Sequence, residues 1–128
     1  MFEIGDLVRI FAPAAGKKKY HLCVCCADKD GVEKFLFINS AKGYKGDFVL
    51  DDGAIDCLPP GPTGFTVISC SMVIRYTLKQ LNLFRAEKIG EFPRELLSEL
   101  IEFVEKNKAL SGSDRKIVLV GLKYLRDS

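Results

Sequence analysis

Short apolar runs separated by turn residues fill the first half of the chain, and this pattern predicts β-strands. The predicted strands cover residues 7–11, 20–26, 35–38, 48–50 and 65–73. Alternation in the second run places Leu22, Val24 and Cys26 on one face and His21, Cys23 and Cys25 on the other. The third run is continuously apolar, which predicts a strand buried on both faces.

Turn and loop residues separate these predicted strands. Proline and glycine punctuate residues 12–19, which we predict as a loop ending in the lysine triplet at 17–19. Adjacent ammonium groups repel one another, which also favours a loop there. Asp-Gly at 30–31 predicts a hairpin turn, and the proline-rich residues 59–64 predict a further loop. The lysine triplet is therefore expected in a connection that a rigid scaffold can aim.

Helical spacing replaces alternation in the last third of the chain. Apolar residues recur every three or four positions over residues 96–104, and Phe-Pro at 92–93 is typical of a helix start. We predict a second helix at 114–125, although the apolar run at 117–120 would also suit an edge strand. Residues 78–84 fit either a helical turn or a short strand.

The order of these elements, strands first and a helix afterwards, predicts a small, mostly β barrel with a C-terminal helix packed on it. We expect a single domain over residues 1–128, made of a barrel at 1–86, a packed helix at 92–107 and a helical extension at 111–126. A chain of this length can bury a core without disulfides or metals.

Composition narrows the class of protein. The chain is 48% hydrophobic and 28% charged, which is typical of a folded water-soluble protein and excludes a disordered one. The net charge of +2 indicates nucleic-acid binding only if the cations cluster. No apolar stretch is long enough to span a membrane and the first residues do not resemble a secretory leader, so no membrane partner is expected. Five cysteines, an odd number, favour a reducing cytoplasm over a secreted disulfide framework.

No metal or other cofactor is expected from the cysteines. Cys23, Cys25 and Cys26 are close in sequence, but adjacent strand residues point to opposite faces and His21 is the only histidine. We therefore interpret these cysteines as small buried apolar residues.

Five segments of the chain, taken in their order, resemble one protein family. They are Gly-Asp-Leu-Val at 5–8, Lys-Tyr-His-Leu-Cys-Val at 19–24, Phe-Ile-Asn-Ser at 37–40, the stretch 65–71, and Lys-Ile-Gly-Glu-Phe-Pro-Arg-Glu-Leu-Leu at 88–97. Together they resemble the MazF/PemK-like toxins of bacterial toxin–antitoxin pairs. The resemblance covers residues 3–107, and the last segment is the closest match.

The resemblance implies a Src-homology-3-like β-barrel that forms a homodimer, cuts single-stranded RNA without a metal and is blocked by an acidic antitoxin protein. Lys19 and Tyr20 stand where the family has an arginine-proline pair, and Ser40 stands where a threonine or serine ends the third strand. The family often has an Asp-Gln pair and an arginine around residues 71–75. This chain reads Ser-Met-Val-Ile-Arg there, so the acid is absent and Arg75 is slightly displaced.

Metal-free RNA cleavage needs a base for the ribose 2′-hydroxyl, an acid for the leaving oxygen and cations that stabilise the phosphorane. The candidate catalytic residues are Lys19, His21, Ser40 and Arg75. Lys19 and Arg75 would stabilise the charge, and His21 would transfer protons. The plainer alternatives are that His21 is a half-exposed strand residue without a task and that Ser40 only ends a strand.

The candidate RNA-binding residues are Lys17, Lys18, Tyr20, Lys42, Tyr44 and Lys45. Lysines in loops can neutralise phosphates, and tyrosines beside them can stack on unpaired bases. The alternatives are a solvated lysine loop and tyrosines that pack at the edge of the barrel.

Two functions from different classes follow from these residues. The first is a toxin-like, metal-independent endoribonuclease of a type II toxin–antitoxin system that acts on single-stranded RNA. The second is a non-catalytic barrel module that binds a protein or nucleic-acid partner, which the missing acid near Ser71 and the lysine at position 19 favour. A further alternative is that the segment 114–125 docks a partner or forms a dimer.

Overall fold

The computed structural model describes residues 1–40 and 43–128 of the chain. Its strands are β1 (Asp6–Ala12), β2 (Lys17–Cys25), β3 (Val32–Asn39), β4 (Asp47–Asp51), β5 (Phe65–Ser69), β6 (Ile74–Thr77) and β7 (Glu87–Glu91). Its α-helices are α1 (Leu78–Leu83), α2 (Leu97–Lys106) and α3 (Gly112–Asp127), and 3₁₀ turns cover Pro13–Ala15 and Arg94–Leu96. The predicted mostly β fold with C-terminal helix is confirmed.

One antiparallel sheet contains all seven of these strands. They follow the order β4-β5-β3-β2-β1-β7, and β6 pairs with β3 beside β5. The path of paired strands is open, because no ladder among the described residues joins β4 to β7. Closure into a barrel therefore stays a prediction.

Both faces of the central strands are buried. One face packs against α2 and α3 and includes Leu7, Leu22, Val24, Leu36, Ile38 and Ile68. The other face includes Val8, Ile10, Cys23, Phe35 and Tyr76 and packs against Leu81 of α1. The alternation predicted for β2 is confirmed at residues 22–24, and β3 is buried on both faces as predicted.

Two of the three clustered cysteines, Cys25 and Cys26, are not buried as the sequence predicted. Cys26 lies past the end of β2 and is exposed, so it does not share the buried face of Leu22 and Val24. Cys25 is only partly buried, because the register between β2 and β3 shifts after Cys23. Only Cys23 of the three is the small buried residue that the sequence predicted.

The lysine triplet is part of β2, so its predicted place in a loop is wrong. Residues 17–19 pair with Ala12, Phe11 and Ile10 of β1, because only a single 3₁₀ turn and Gly16 connect the two strands. Gly16 has φ +65°, a left-handed conformation that glycine adopts without strain. Strand alternation separates Lys18 from its two neighbours, which reduces the repulsion that favoured a loop.

The predicted strand at 65–73 is divided in two. β5 ends at Ser69 and β6 begins at Ile74, and both pair with the same edge of β3. The break coincides with a close approach of Gly46, whose carbonyl accepts a hydrogen bond of 2.6 Å from the Cys70 amide. A Cβ on Gly46 would lie 2.8 Å from the Cys70 carbonyl carbon. The chain therefore turns around Gly46 before it returns to β3.

Strand β7 was not predicted, because its sequence Glu-Lys-Ile-Gly-Glu carries charges at three of five positions. It pairs with β1 at the edge of the sheet, where charged residues are common because they discourage further pairing. Residues 78–83 form helix α1, capped by reciprocal hydrogen bonds between Thr77 and Gln80.

The C-terminal segment 114–125 lies within helix α3, so the edge-strand alternative is excluded. The Ser111 hydroxyl accepts the Asp114 amide at 3.2 Å and caps this helix. Val118 and Leu122 are fully buried against the sheet. Gly121 touches the backbone of β2, since a Cβ there would lie 1.9 Å from the Val24 carbonyl oxygen. α3 is therefore a core helix.

In the described parts of the chain, none of the helices combines the length and the apolar character that crossing a lipid bilayer requires.

Candidate nucleic-acid interface

A cleft of about 260 Å³ lies where the start of β2 and the end of β3 face the proline-rich loop. Its lining residues are Lys17, Lys18, Lys19, Tyr20, Ile38, Asn39, Ser40, Leu58, Pro59, Pro60, Gly61, Pro62, Phe65 and Thr66. We call it the lysine–proline cleft. Five of the sequence-predicted site residues come together here, namely Lys17, Lys18, Lys19, Tyr20 and Ser40.

Strand register fixes the position of Lys19 beside the cleft. Tyr20 pairs with Ile38, which places Lys19 beside Asn39 on the neighbouring strand. The Lys19 ammonium donates a hydrogen bond of 2.7 Å to Asn39 Oδ1 and lies 5.1 Å from the centre of the Phe37 ring. Partial burial lowers the pKa of Lys19, and the charge of Lys17 lowers it further. Lys19 is thus an oriented cation rather than a freely moving one.

The three lysines are not equivalent in charge pairing. Alternation along β2 places Lys17 and Lys19 on one face and Lys18 on the other. Lys18 Nζ lies 3.7 Å from a Glu87 carboxylate oxygen, which is also 3.7 Å from Arg9. Among residues 1–40 and 43–128, no ion pair involves Lys17 or Lys19. Lys17 and Lys19 are thus cations without a carboxylate partner among these residues, on the face of β2 that also carries His21 and opposite to the face of Tyr20.

The opposite wall of the cleft is a rigid one. Pro59, Pro60 and Pro62 each fix their own backbone φ angle. The Thr63 hydroxyl donates to the Ser40 carbonyl oxygen and ties the loop to the end of β3. A Cβ on Gly61 would lie 3.0 Å from Ser40 Cβ, so loop and strand are in close contact. The width of the cleft is thus set by packing.

His21 does not face the cleft, and its predicted half-exposed position is wrong. Its side chain is fully buried among the rings of Phe35, Phe37 and Tyr76. Nδ1 lies 3.0 Å from the Lys19 carbonyl oxygen and must carry the proton, since a carbonyl only accepts. Nε2 then accepts the Tyr76 hydroxyl at 3.4 Å. Burial lowers the pKa of His21 to about 4, so the imidazole is neutral at pH 7 and has no path to a phosphate.

Arg75 does not line the cleft either, so it lies apart from Lys19, with which it was predicted to stabilise the phosphorane. It pairs with Lys34, four positions from Ile38 on β3, or about 13 Å along a strand that rises ~3.3 Å per residue. Its guanidinium donates to Asp114 at 2.6 Å and to the Val73 carbonyl at 3.3 Å. Arg75 therefore links strand β6 to helix α3 through its ion pair with Asp114.

The remaining RNA-contact candidates lie elsewhere. Tyr44 is 76% exposed, and its amide donates to Asp47 at the Ser69 end of the β4–β5 ladder. The Lys45 carbonyl accepts the side chain of Asn107, which follows α2. The cleft lies at the opposite, Phe65 end of that ladder, so neither residue lines it. Lys42 lies outside the described residues.

Sequence reasoning missed three contributors to the cleft: Asn39, Thr66 and the proline wall itself. Asn39 directly precedes a predicted site residue, and its position opposite Lys19 would have followed from the register of β2 and β3. Residues 59–64 were correctly predicted as a loop, but a local pattern does not say which strand end a loop covers. Thr66, whose hydroxyl is 3.5 Å from Asp52, carries no local signal.

Within the described parts of the chain, no group of three or more His, Cys, Asp or Glu side chains is arranged to hold a metal ion. Burial raises the pKa of the Cys23 and Cys70 thiols, which keeps both protonated.

No family model, curated protein or solved structure matches this chain. The resemblance to MazF/PemK-like toxins therefore depends on the five sequence segments alone and stays a prediction.

Proposed function

We propose that the lysine–proline cleft binds single-stranded RNA and that the protein acts as an RNA-binding module. The observation that carries this proposal is the cleft itself, which the three consecutive lysines at 17–19, Tyr20 and Ser40 line. Ammonium groups neutralise phosphates, and an aromatic ring beside them can stack on an unpaired base. The cleft thus offers contacts to both parts of a nucleotide.

The size of the cleft favours a single strand over a duplex. At about 260 Å³ it is close to the roughly 300 Å³ at which ligand pockets begin, and it is too small to enclose two paired strands. Double-stranded RNA is bound by surfaces that follow its shallow groove and its backbone, which a narrow cleft with a fixed proline wall does not provide.

Removing both unpaired cations is expected to weaken RNA binding and its salt dependence. In a Lys17→Gln/Lys19→Gln variant, the slope of log K against log salt for a short single-stranded RNA should fall by about 1.4, because each lost phosphate contact contributes about 0.7. Fluorescence anisotropy over a salt series measures this slope. A Lys29→Gln/Lys108→Gln variant removes two exposed charges that do not line the cleft and should keep the wild-type slope. Equal losses in both variants would contradict the assignment.

Endoribonuclease activity is the second candidate function. It is favoured by the presence of Lys19 and Ser40 in one cleft, since these residues stand where the resemblance places two residues of the family's active site. Ser40 would donate a hydrogen bond to a phosphate oxygen, and a cation of the lysine triplet would stabilise the phosphorane. His21 and Arg75 take no part in this proposal, because one is buried and the other is paired with Asp114.

A cleavage assay separates the two candidates. If the protein is a nuclease, end-labelled single-stranded RNA should be cut in the presence of a chelator, and Ser40→Ala should slow the cut at least tenfold while RNA affinity changes little. The proper comparison is Ser98→Ala, an exposed hydroxyl on α2. RNA that is bound tightly but stays intact would reject the nuclease and leave the binding module.

The resemblance extends this proposal to a Src-homology-3-like barrel, a homodimer, an acidic antitoxin that covers the cleft and a cytoplasmic location. Support for the barrel comes from β3, whose one edge pairs with both β5 and β6, as in a sheet that bends around a core. Support for an acidic partner comes from the unpaired lysines. The five cysteines, for which no disulfide is found in the described residues, are compatible with a reducing compartment.

A further inference from the structure

We propose that the protein binds the anion of a fatty acid in an apolar groove beside helix α3. The groove has a volume of about 530 Å³ and lies between α3 and the end of β2. Its lining residues are Ile4, Val24, Cys25, Cys26, Lys116, Ile117, Val120, Gly121 and Tyr124. We call it the α3 groove. The lysine–proline cleft lies at the other end of β2, so this proposal goes beyond RNA binding and does not depend on it.

The walls of the α3 groove are apolar and open to solvent. Val120 is 62% and Tyr124 66% exposed, although the opposite side of their helix is buried in the core. Ile4 and Ile117 are partly buried beside them. Apolar side chains that are exposed next to one another mark binding surfaces, whereas scattered ones are common on any protein. A hydrocarbon chain in the groove would remove this surface from water.

Contact between two backbones fixes the floor of the groove. Gly121 approaches β2 so closely that a Cβ would lie 1.9 Å from the Val24 carbonyl oxygen. Helix α3 therefore cannot move closer to the strand, and the groove cannot close by collapse of one onto the other. A site that is already formed binds its ligand without the cost of a rearrangement.

The extent of the groove favours a small ligand over a protein partner. Nine of the described residues line it, and on α3 they run from Lys116 to Tyr124, about 12 Å at a rise of ~1.5 Å per residue. A stable protein interface takes about 20–30 residues from each side, whereas ligand pockets have volumes of roughly 300–1,000 Å³. The α3 groove thus has the dimensions of a site for one alkyl chain.

The charge at one end of the groove matches an anionic head group. Lys116 is the only charged residue that lines the groove, and no carboxylate within residues 1–40 and 43–128 forms an ion pair with it. Two other cations near this end already have partners. Arg75 pairs with Asp114, which is on the same helix as Lys116. Lys34, on the strand next to β2, pairs with Asp30.

The order of residues along α3 matches a ligand with a charged head and an apolar tail. Lys116, Val120 and Tyr124 are four positions apart, so they share one face of the helix, with the cation first and the apolar side chains after it. A carboxylate bound to Lys116 would direct its alkyl chain along Val120 towards Tyr124. This order favours a fatty-acid anion over an uncharged or a cationic compound with the same chain.

Calorimetric titration with decanoate, below its micelle concentration, tests the head group. Decanol and decyltrimethylammonium have the same chain with an uncharged or a positive head, and we expect both to bind more weakly than decanoate. Decanoate should also bind up to about fifteenfold more tightly than octanoate, because each buried methylene contributes about fourfold.

Two variants separate the head from the chain. Lys116→Gln should weaken decanoate binding about two- to fivefold, the range of an exposed ion pair, and should leave decanol binding unchanged. Val120→Asn should weaken the binding of both compounds about tenfold, because it removes apolar contact with the chain. The matched controls are Lys108→Gln and Leu83→Asn, which change an exposed lysine and an exposed leucine outside the groove and should bind as the wild type does.

Several results would overturn the proposal. They are a failure of decanoate to bind, equal binding of decanoate and decanol, and equal losses in the groove variants and their controls. A dimer in sedimentation that Val120→Asn makes monomeric would assign the groove to a second copy of the chain and would overturn it as well. None of these results bears on RNA binding, for which Lys17→Gln/Lys19→Gln is the test.

Discussion

A Gly121→Ala variant is expected to lose about 2 kcal/mol or more of unfolding free energy, because an overpacking cost of about 3 kcal/mol or more exceeds a helix-propensity gain of about 1 kcal/mol. The added Cβ would lie 1.9 Å from the Val24 carbonyl oxygen, a backbone atom that cannot rotate away. Helix α3 must therefore move off the sheet, which exposes part of the core around Val118 and Leu122. Urea unfolding followed by circular dichroism measures the loss.

The matched control for this variant lies in the same helix. A Cβ on Gly112 meets no atom within 4 Å, so Gly112→Ala should change the unfolding free energy by no more than about 0.5 kcal/mol. If Gly121→Ala unfolds at the wild-type urea concentration, α3 does not approach β2 as closely as described here. Its role as a core helix would then need revision.

Mild acid is expected to destabilise the protein through His21. The pKa of this buried imidazole is about 4 in the folded protein and 6.5 in the unfolded chain, so between these values the unfolded chain binds the extra proton. Stability therefore falls as the pH falls below 6.5. Linkage gives a loss of about 2 kcal/mol between pH 7.5 and pH 5, which is above the range in which most carboxylates titrate. Unfolding curves at a series of pH values measure it.

A His21→Phe variant separates this effect from other titrations. Phenylalanine keeps a ring among Phe35, Phe37 and Tyr76 but cannot take up a proton. The variant should lose some stability at pH 7.5, because the hydrogen bond to the Lys19 carbonyl is gone. Its stability should then be nearly constant down to pH 5. A wild-type slope in the variant would show that the acid sensitivity has another source.

Local patterns predicted the individual strands better than their arrangement. The Asp-Gly turn and the apolar runs of β2 and β3 follow from residues that are close in sequence, and Gly31 has the positive φ, +68°, that such a turn requires. The division of residues 65–73 into β5 and β6 depends on Gly46, more than twenty positions earlier. Strand β7 depends on pairing with β1 across most of the chain. Neither contact has a local signal.

The candidate site could also be predicted only in part, because local patterns do not show contacts between segments that are distant in sequence. The lysine triplet and Ser40 were found because charge and strand ends are visible in sequence, and the structure places them in one cleft. His21 was misplaced because both faces of β2 are buried from His21 to Val24, whereas alternation by itself suggests a strand with one exposed face. Arg75 was assigned to the site by resemblance, while its partner Asp114 lies on a helix outside the segment that carries the resemblance.

The long sequence separation between β1 and its neighbour β7 has a consequence for how the protein is made. During translation β1 leaves the ribosome early, but its outer edge stays unpaired until β7 has been made. The apolar side of β2 likewise stays uncovered until α3 has left the exit tunnel. A partly synthesised chain would therefore expose apolar surface and an unpaired strand edge for most of its translation, the features that make folding intermediates prone to aggregation.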